Sequence, residues 1–208
     1  MTGIMPAKPL ETVKPEQELY GSPWSTQQRV MRILWDVCWA LFCVWTPKPA
    51  NAWRLFWLRA FGAKIYGNPF VHQRARIEIP WNLTLHDRSC LGDRTNAYTL
   101  GEIEVGARAT VAQEVYLSTG THDFTTTRIP LVTGKITLGE DVFIGARAFV
   151  MPGITIGARS VIGACSVVTK DVPADSIAAG NPCRVIGTRE LSLESDHREQ
   201  SSRSSNGS

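Results

Sequence analysis

At 208 residues, 43% of them hydrophobic and 20% charged, the chain is of a size and composition to fold as one domain around a buried core. Its net charge of +3 comes without a Lys/Arg block, which argues against a nucleic-acid partner. Five scattered cysteines (Cys38, Cys43, Cys90, Cys165, Cys183) with no C-x-x-C spacing indicate neither a zinc knuckle nor a disulfide framework, and fit reduced thiols in a cytoplasmic protein.

Residues 1–23 hold Pro6, Pro9, Pro15 and Pro23 among several charges and read as a disordered arm, too polar for a signal peptide. Trp24 to Trp45 reads as a helix with a narrow polar stripe (Ser25, Arg29, Arg32, Asp36) and an otherwise apolar circumference. Its uncharged run from Val37 to Pro47 is too short for the roughly 20 residues that a bilayer span needs. Thr46-Pro47-Lys48-Pro49 breaks it, and a second helix over about Asn51 to Phe61 stops at Gly62, so 24–62 forms a Trp-rich helical segment. Two readings of its tryptophans stay open. They pack as a cap on the open end of the domain C-terminal to them, or they make a peripheral contact at a membrane interface, where Trp and Arg are favoured side by side.

From residue 63 the period changes. Ile79, Leu85, Leu91, Ala97 and Ile103 recur six apart, the phase slips by two to Val105, Val111 and Leu117, and the repeat then breaks for a segment containing THDFTTTRIPLVTGK. It resumes as Leu138, Ile144, Val150, Ile156, Ile162 and Val168, with Gly139, Gly145, Gly157 and Gly163 directly after four of them and the small residues Ala148, Ser160 and Ser166 four places after three. A period of six fits neither a helix nor a flat strand. It predicts an all-β parallel solenoid of triangular coils, about five in number, with a glycine at each sharp corner. From Asp171 the chain is expected to leave the repeat, and from residue 189 to continue as a disordered, Ser-rich tail. An excursion from so strict a repeat is usually functional when it is not disordered, and this one carries His122.

The hexapeptide ladder, the STGTHDF segment at Ser118 to Phe124 and the ending VVTKDVP…AAGNPCRVI together resemble the left-handed β-helix acyltransferases. PWNL at Pro80 to Leu83 and RLFWLRAFGAKI at Arg54 to Ile65 look most like the colanic-acid-type exopolysaccharide O-acetyltransferases, with maltose and galactoside enzymes more distant. The resemblance covers about residues 20–188, with the β-helix domain at 63–188. The left hand of the coil is implied by it rather than by the spacing. It implies an acetyl-CoA-dependent O-acetyltransferase acting on a sugar hydroxyl, cytoplasmic or at the inner face of the cytoplasmic membrane, with a glycan acceptor that is free or lipid-linked. It also implies a homotrimer with its sites between neighbouring solenoids.

Acetyl transfer needs a base, an oxyanion donor and a channel for a long phosphorylated thioester. Imidazole is the side chain that changes protonation state near neutral pH, and His122 stands where the family's catalytic histidine stands. Gly145-Ala146 resembles the stretch beside the thioester, which makes the Ala146 N–H the oxyanion candidate. Gly163 and Ala164 keep a face low for the pantetheine arm, while Thr169, Lys170 and Arg184 match the positions that contact CoA. Asn96, Tyr98 and Asp123 are the acceptor candidates. No metal is expected: the zinc hydratases of this fold need three converging imidazoles, and the chain has His72, His86 and His122 with His197 in the tail. A non-catalytic scaffold, or an acetyltransferase for an amino sugar or a xenobiotic, is the alternative.

Overall fold

Leu138, Ile144, Val150, Ile156, Ile162 and Val168 are all buried, each as the inward-pointing end of a strand two or three residues long. Such short strands, stacked in parallel, build the β-solenoid of the computed structural model, which describes residues 10–12, 24–125, 127 and 129–190. The disorder expected for 1–9, 13–23 and 191–208 lies outside the described residues.

Three faces make the prism. The first stacks Lys64–Ile65, Leu83–Leu85, Ile103–Val105, Ile136–Leu138 and Thr155–Ile156, with Val172 bridged to Ile156. The second runs from Phe70–Val71 through Cys90–Leu91, Thr110–Val111, Phe143–Ile144 and Val161–Ile162 to Ser176–Ala179. The third stacks Arg76–Ile77, Asn96–Tyr98, Tyr116–Ser118, Phe149–Val150 and Val167–Val168. Five coils are complete and a sixth is begun, about six turns in all. The segment after Asp171 therefore does not leave the repeat at once. Ser176–Ala179 pairs in parallel with Val161–Ile162 before Arg184–Thr188 turns back antiparallel upon it. Arg189, assigned from sequence to the tail, still donates to the carbonyls of Asp141 and Arg159.

All variation in coil length falls on one edge, where the third face hands over to the first of the next coil. Inward residues are six apart across the other two edges, but Ile77 to Leu85 and Ala97 to Val105 span eight. The phase slip is thus two extra residues at this edge in each of the first two coils, the first filled by a 3-10 turn at Pro80–Asn82. At the third coil the same edge ejects the whole segment between Leu117 and Leu138.

The corner glycines serve the neighbouring coil more than the turn. A Cβ on Gly139, Gly145 or Gly157 would lie 2.5, 2.5 or 2.3 Å from the backbone nitrogen of Ala158, Ala164 or Ala174. The left-handed residue of each corner is two places on and is seldom glycine: Arg108, Asp141, Arg147, Arg159, Cys165 and Asp175 have φ between 56° and 59°. That strained conformation aims charged side chains along the edge. Arg108 forks onto the Asp141 carboxylate at 2.7 and 2.6 Å, and Arg159 onto that of Asp175 at 2.6 and 2.7 Å.

Two helices close the first coil, in agreement with the cap reading. Helix α1 (Thr26–Phe42) starts in a capping box, Ser25 Oγ accepting from Gln28 N–H while Gln28 Oε1 accepts from Ser25 N–H. Helix α2 (Asn51–Ala60) ends at Gly62, φ 89°, with Ala63 N–H on the Leu58 carbonyl. Trp35, Trp39, Cys43, Leu55 and Leu58 join the solenoid's apolar core, and Trp35 Nε1 donates to Ile77 O at 2.7 Å. Arg54, which the sequence did not single out, is wholly buried. Its guanidinium donates to the carbonyls of Val71, Pro47 and Lys48 and to Thr46 Oγ1, pinning the interhelical turn to the second face.

Two substitutions test this packing. Gly157→Ala is expected to cost about 1–3 kcal/mol through forced separation of two coils, whereas Gly187→Ala, with nothing within 4 Å of its Cβ position, leaves the unfolding temperature nearly unchanged; calorimetry of both variants checks this. The Arg108 fork, through its hydrogen bonds, holds the Asp141 carboxyl below its ordinary value of 3.8, so the pair's stabilisation is present above that pH and is lost as pH falls through the lowered value. Asp141→Asn should therefore lower stability by roughly 0.5–1 kcal/mol at pH 7, with the gap to the parent closing below about pH 4. A gap unchanged at pH 3 would contradict the assignment.

Candidate active site

The ejected segment at the third edge folds as a hairpin, Gly120–His122 antiparallel to Leu131–Thr133. Its root is tied down by Thr119, a buried residue that sequence reasoning passed over. Thr119 Oγ1 accepts from Gly101 N–H at 2.8 Å and donates to Tyr98 O at 2.5 Å, and its carbonyl accepts from Gly134 N–H. One coil earlier, Asn82 of the PWNL stretch donates through Nδ2 to the carbonyls of Thr99 and Leu100. The edge that carries the insertion is thus braced in successive coils. A third strand, Glu11–Thr12, pairs antiparallel with Leu131–Thr133, and Leu10 lies against Gly134. Part of the arm read as disordered is therefore ordered here, because the outer strand of the hairpin offers unpaired backbone groups.

His122 is exposed near the hairpin tip, its ring 6.5 Å from that of Phe124. Its Nδ1 lies 3.0 Å from the Ile129 carbonyl oxygen. A carbonyl only accepts, so this bond requires the proton on Nδ1 and leaves the Nε2 lone pair open. Asp123 next to it is engaged locally, with Oδ1 accepting from both the backbone N–H and the hydroxyl of Thr125; these bonds hold its pKa below the usual carboxylate value. Tyr98 touches the hairpin root, its Cε1 3.4 Å from the Cβ position of Gly120. Burial raises its phenol pKa. Asn96 sits two residues before it on the same outward side of the third face, in register with Tyr116. Tyr98, Tyr116 and Phe149 then run up that face as an aromatic column, with centroids 5.9 and 5.0 Å apart.

The expected donor residues gather on both sides of the same face. Gly145-Ala146 and Gly163-Ala164 stack one coil apart at the edge between the second and third faces. The N–H of Ala146 meets no backbone carbonyl among the described residues, and neither do those of Asp93, Gln113 and Ala164 at the same corner of other coils. Arg184 pairs with Ala179 at the end of this edge and donates to the Cys183 carbonyl. Thr169 and Lys170 lie across the face, at the edge that bears the hairpin. Thr169 Oγ1 is a buried oxygen with no partner among the described residues, and such a group suits a polar atom of a bound chain. Lys170 is exposed.

Within one chain, then, His122 belongs to one edge of the third face and the small-residue corner to the other, separated by a face roughly 15–20 Å wide at the rise of extended chain. A cavity of about 620 Å³ opens beyond the hairpin root instead, between Glu11, Glu102, Lys135 and Thr155, and takes in neither set. The described histidines do not converge as metal ligands: His72 follows the second face in the first coil, His86 follows the first face beside Glu104, and His122 is in the hairpin.

Comparison with known proteins bears on this arrangement. The family model for the bacterial transferase hexapeptide (six repeats) matches residues 135–170. The chain is 42% identical over 156 residues to the putative colanic acid biosynthesis acetyltransferase WcaF of Escherichia coli K12, covering 75% of this chain and 86% of that one. Among solved structures it is similar to a maltose O-acetyltransferase from Clostridium difficile 630, with a TM-score of 0.70 and 28% identity over 80% of this chain and 90% of that one. It shares its fold with a hexapeptide-repeat acetyltransferase from Vibrio cholerae complexed with acetyl coenzyme A, with a TM-score of 0.66 and 22% identity over 83% of this chain and 94% of that one.

Proposed function

The chain belongs to the hexapeptide-repeat family of acetyltransferases, and from that premise we propose that it moves an acetyl group from acetyl-CoA to a sugar hydroxyl of an exopolysaccharide-type glycan, with His122 as general base. The observation that carries the reading is the bond from His122 Nδ1 to the Ile129 carbonyl, which leaves Nε2 as a proton acceptor at the exposed end of the ring. Nε2 takes the proton of the acceptor hydroxyl as its oxygen attacks the thioester carbonyl. The C–S bond then breaks, and the CoA thiolate recovers the proton from the imidazolium. The N–H of Ala146 is the donor to the tetrahedral oxyanion.

For the coenzyme, Gly145, Gly163 and Ala164 leave the corner backbone open to the pantetheine arm, and Thr169 Oγ1 supplies an unmet hydrogen-bonding oxygen. Lys170 and Arg184 are the cations for its phosphates. Asn96 and Tyr98 on the outward side of the third face, and Asp123 in the hairpin, are the candidates for binding the acceptor. The name of the Escherichia coli relative supports a glycan acceptor, and the acetyl coenzyme A held by the Vibrio cholerae protein supports the donor. Because the hairpin and the small-residue corner border opposite sides of the third face, a complete site takes both from neighbouring copies, and a homotrimer of parallel solenoids supplies three such sites. Acetyl-CoA and nucleotide- or lipid-linked glycan precursors put the reaction in the cytoplasm.

Transfer of labelled acetyl from acetyl-CoA to soluble and lipid-linked glycan acceptors, followed for the wild type and His122→Ala, tests the proposal. A loss of about 10²–10⁴ in kcat is expected, with acetyl-CoA binding retained. Activity within tenfold of wild type in the variant removes His122 as the base; a wild type that does not bind acetyl-CoA removes the donor.

A further inference from the structure

Helix α1 is apolar on two opposite sides. At 3.6 residues per turn, Trp35, Trp39 and Cys43 form the stripe that packs on the first coil, while Val30, Ile33, Leu34, Val37 and Leu41 form a second stripe on the far side. That second stripe faces away from the solenoid, with Ile33 63% and Leu41 58% exposed. Trp45, exposed to 71%, extends it past the end of the helix, and Trp53 and Phe56 of α2 lie open as well. A surface helix ordinarily buries one apolar stripe and turns polar residues outward, so a second, exposed apolar stripe marks an interaction surface.

Charge identifies the occupant. Residues 24–64 carry six basic side chains against the one carboxylate of Asp36, a net +5 in a chain whose total is +3. Two of the six are used internally: Arg54 is buried, and Arg32 pairs with Glu78. The other four, Arg29, Lys48, Arg59 and Lys64, are exposed. Two copies meeting through this patch would bring like charges together. An anionic lipid surface complements both features, taking the apolar stripe and its tryptophans below the headgroups and the cations among them. No described helix is long and apolar enough to cross a membrane, so α1 would lie along the interface.

We propose that the outer stripe of α1, with Trp45 and Trp53, docks the protein on a bilayer rich in anionic phospholipid. The inference is independent of the acetyl-transfer reading.

Flotation of the full chain with phosphatidylcholine vesicles, with or without about 30% phosphatidylglycerol, tests it on the wild type and on Ile33→Glu/Leu41→Glu. The wild type is expected to float with the anionic vesicles, less with the neutral ones, and less as salt is raised. The double variant is expected to lose at least about tenfold in binding, with unchanged unfolding temperature and unchanged mass in solution. Failure of the wild type to float, equal binding to neutral vesicles, or undiminished binding by the variant overturns the proposal. So does a variant of lower mass than its parent, which would mean that a second copy covers the stripe. Should the variant fold poorly, quenching of wild-type tryptophan fluorescence by brominated anionic lipid decides instead, and absence of quenching counts against docking.

Discussion

The contact on which the rest depends is backbone against backbone at the corners of successive coils. A methyl group at Gly139, Gly145 or Gly157 would fall within 2.5 Å of the next coil's chain, so these corners stack at the spacing of hydrogen-bonded strands. That approach lets strands of two residues hold a ladder, because each closes bonds to the coils on both sides. It also leaves an interior only wide enough for one aliphatic ledge per face, such as Ile65, Leu85, Val105, Leu138 and Ile156. The left-handed residues two places later are a cost of the same corner, and the Arg108–Asp141 and Arg159–Asp175 forks set there fasten coil to coil.

So regular a stack leaves little room for a catalytic site inside it. The protein's departures from the repeat are therefore informative. All of them fall on one edge, where two extra residues, then two, then an entire hairpin leave the prism. Bracing by Asn82, Thr99 and Thr119 holds that edge rigid at the root of the hairpin that presents His122. The opposite border of the third face carries the small residues that leave backbone uncovered. The two borders lie on opposite sides of the face, which is what motivates the proposal of a site shared between copies.

The solenoid was legible because six-residue spacing of aliphatics has no other common cause, and the two helices before it were legible because Gly62 and the Pro47–Pro49 break delimit them, although nothing in their pattern says that they cap the first coil. Three features were not. The slip at Ile103 hid an edge effect already present at Pro80–Asn82, where Ile79 happened to preserve the apparent period. The sixth coil was hidden by a shortening at the same edge: Val172 follows Val168 at a spacing of only four, and the spacing of six resumes from Val172 to Ala178. The strand at Glu11–Thr12 exists only because the hairpin offers it an edge, information that a two-residue stretch does not contain. The capping box of Ser25 and Gln28, by contrast, stood in the S-x-x-Q spacing and was available to be read. Among the site residues, the hairpin location of His122 and the stacking of Gly145 on Gly163 follow from the repeat, whereas the tautomer of His122 depends on a carbonyl seven residues away that only the folded hairpin brings to it.

The claim that the hairpin of one copy works with the corner of its neighbour is tested most directly by mixing two inactive variants. His122→Ala removes the proposed base, and Ala164→Trp, at an exposed position that already carries a Cβ, fills the proposed donor corner. If each site is shared between neighbours, co-refolded mixtures of the two should regain a substantial fraction of wild-type acetyl transfer, because some interfaces then join an intact hairpin to an intact corner. If both halves of the site reside in one chain, every site in the mixture stays crippled and no activity returns.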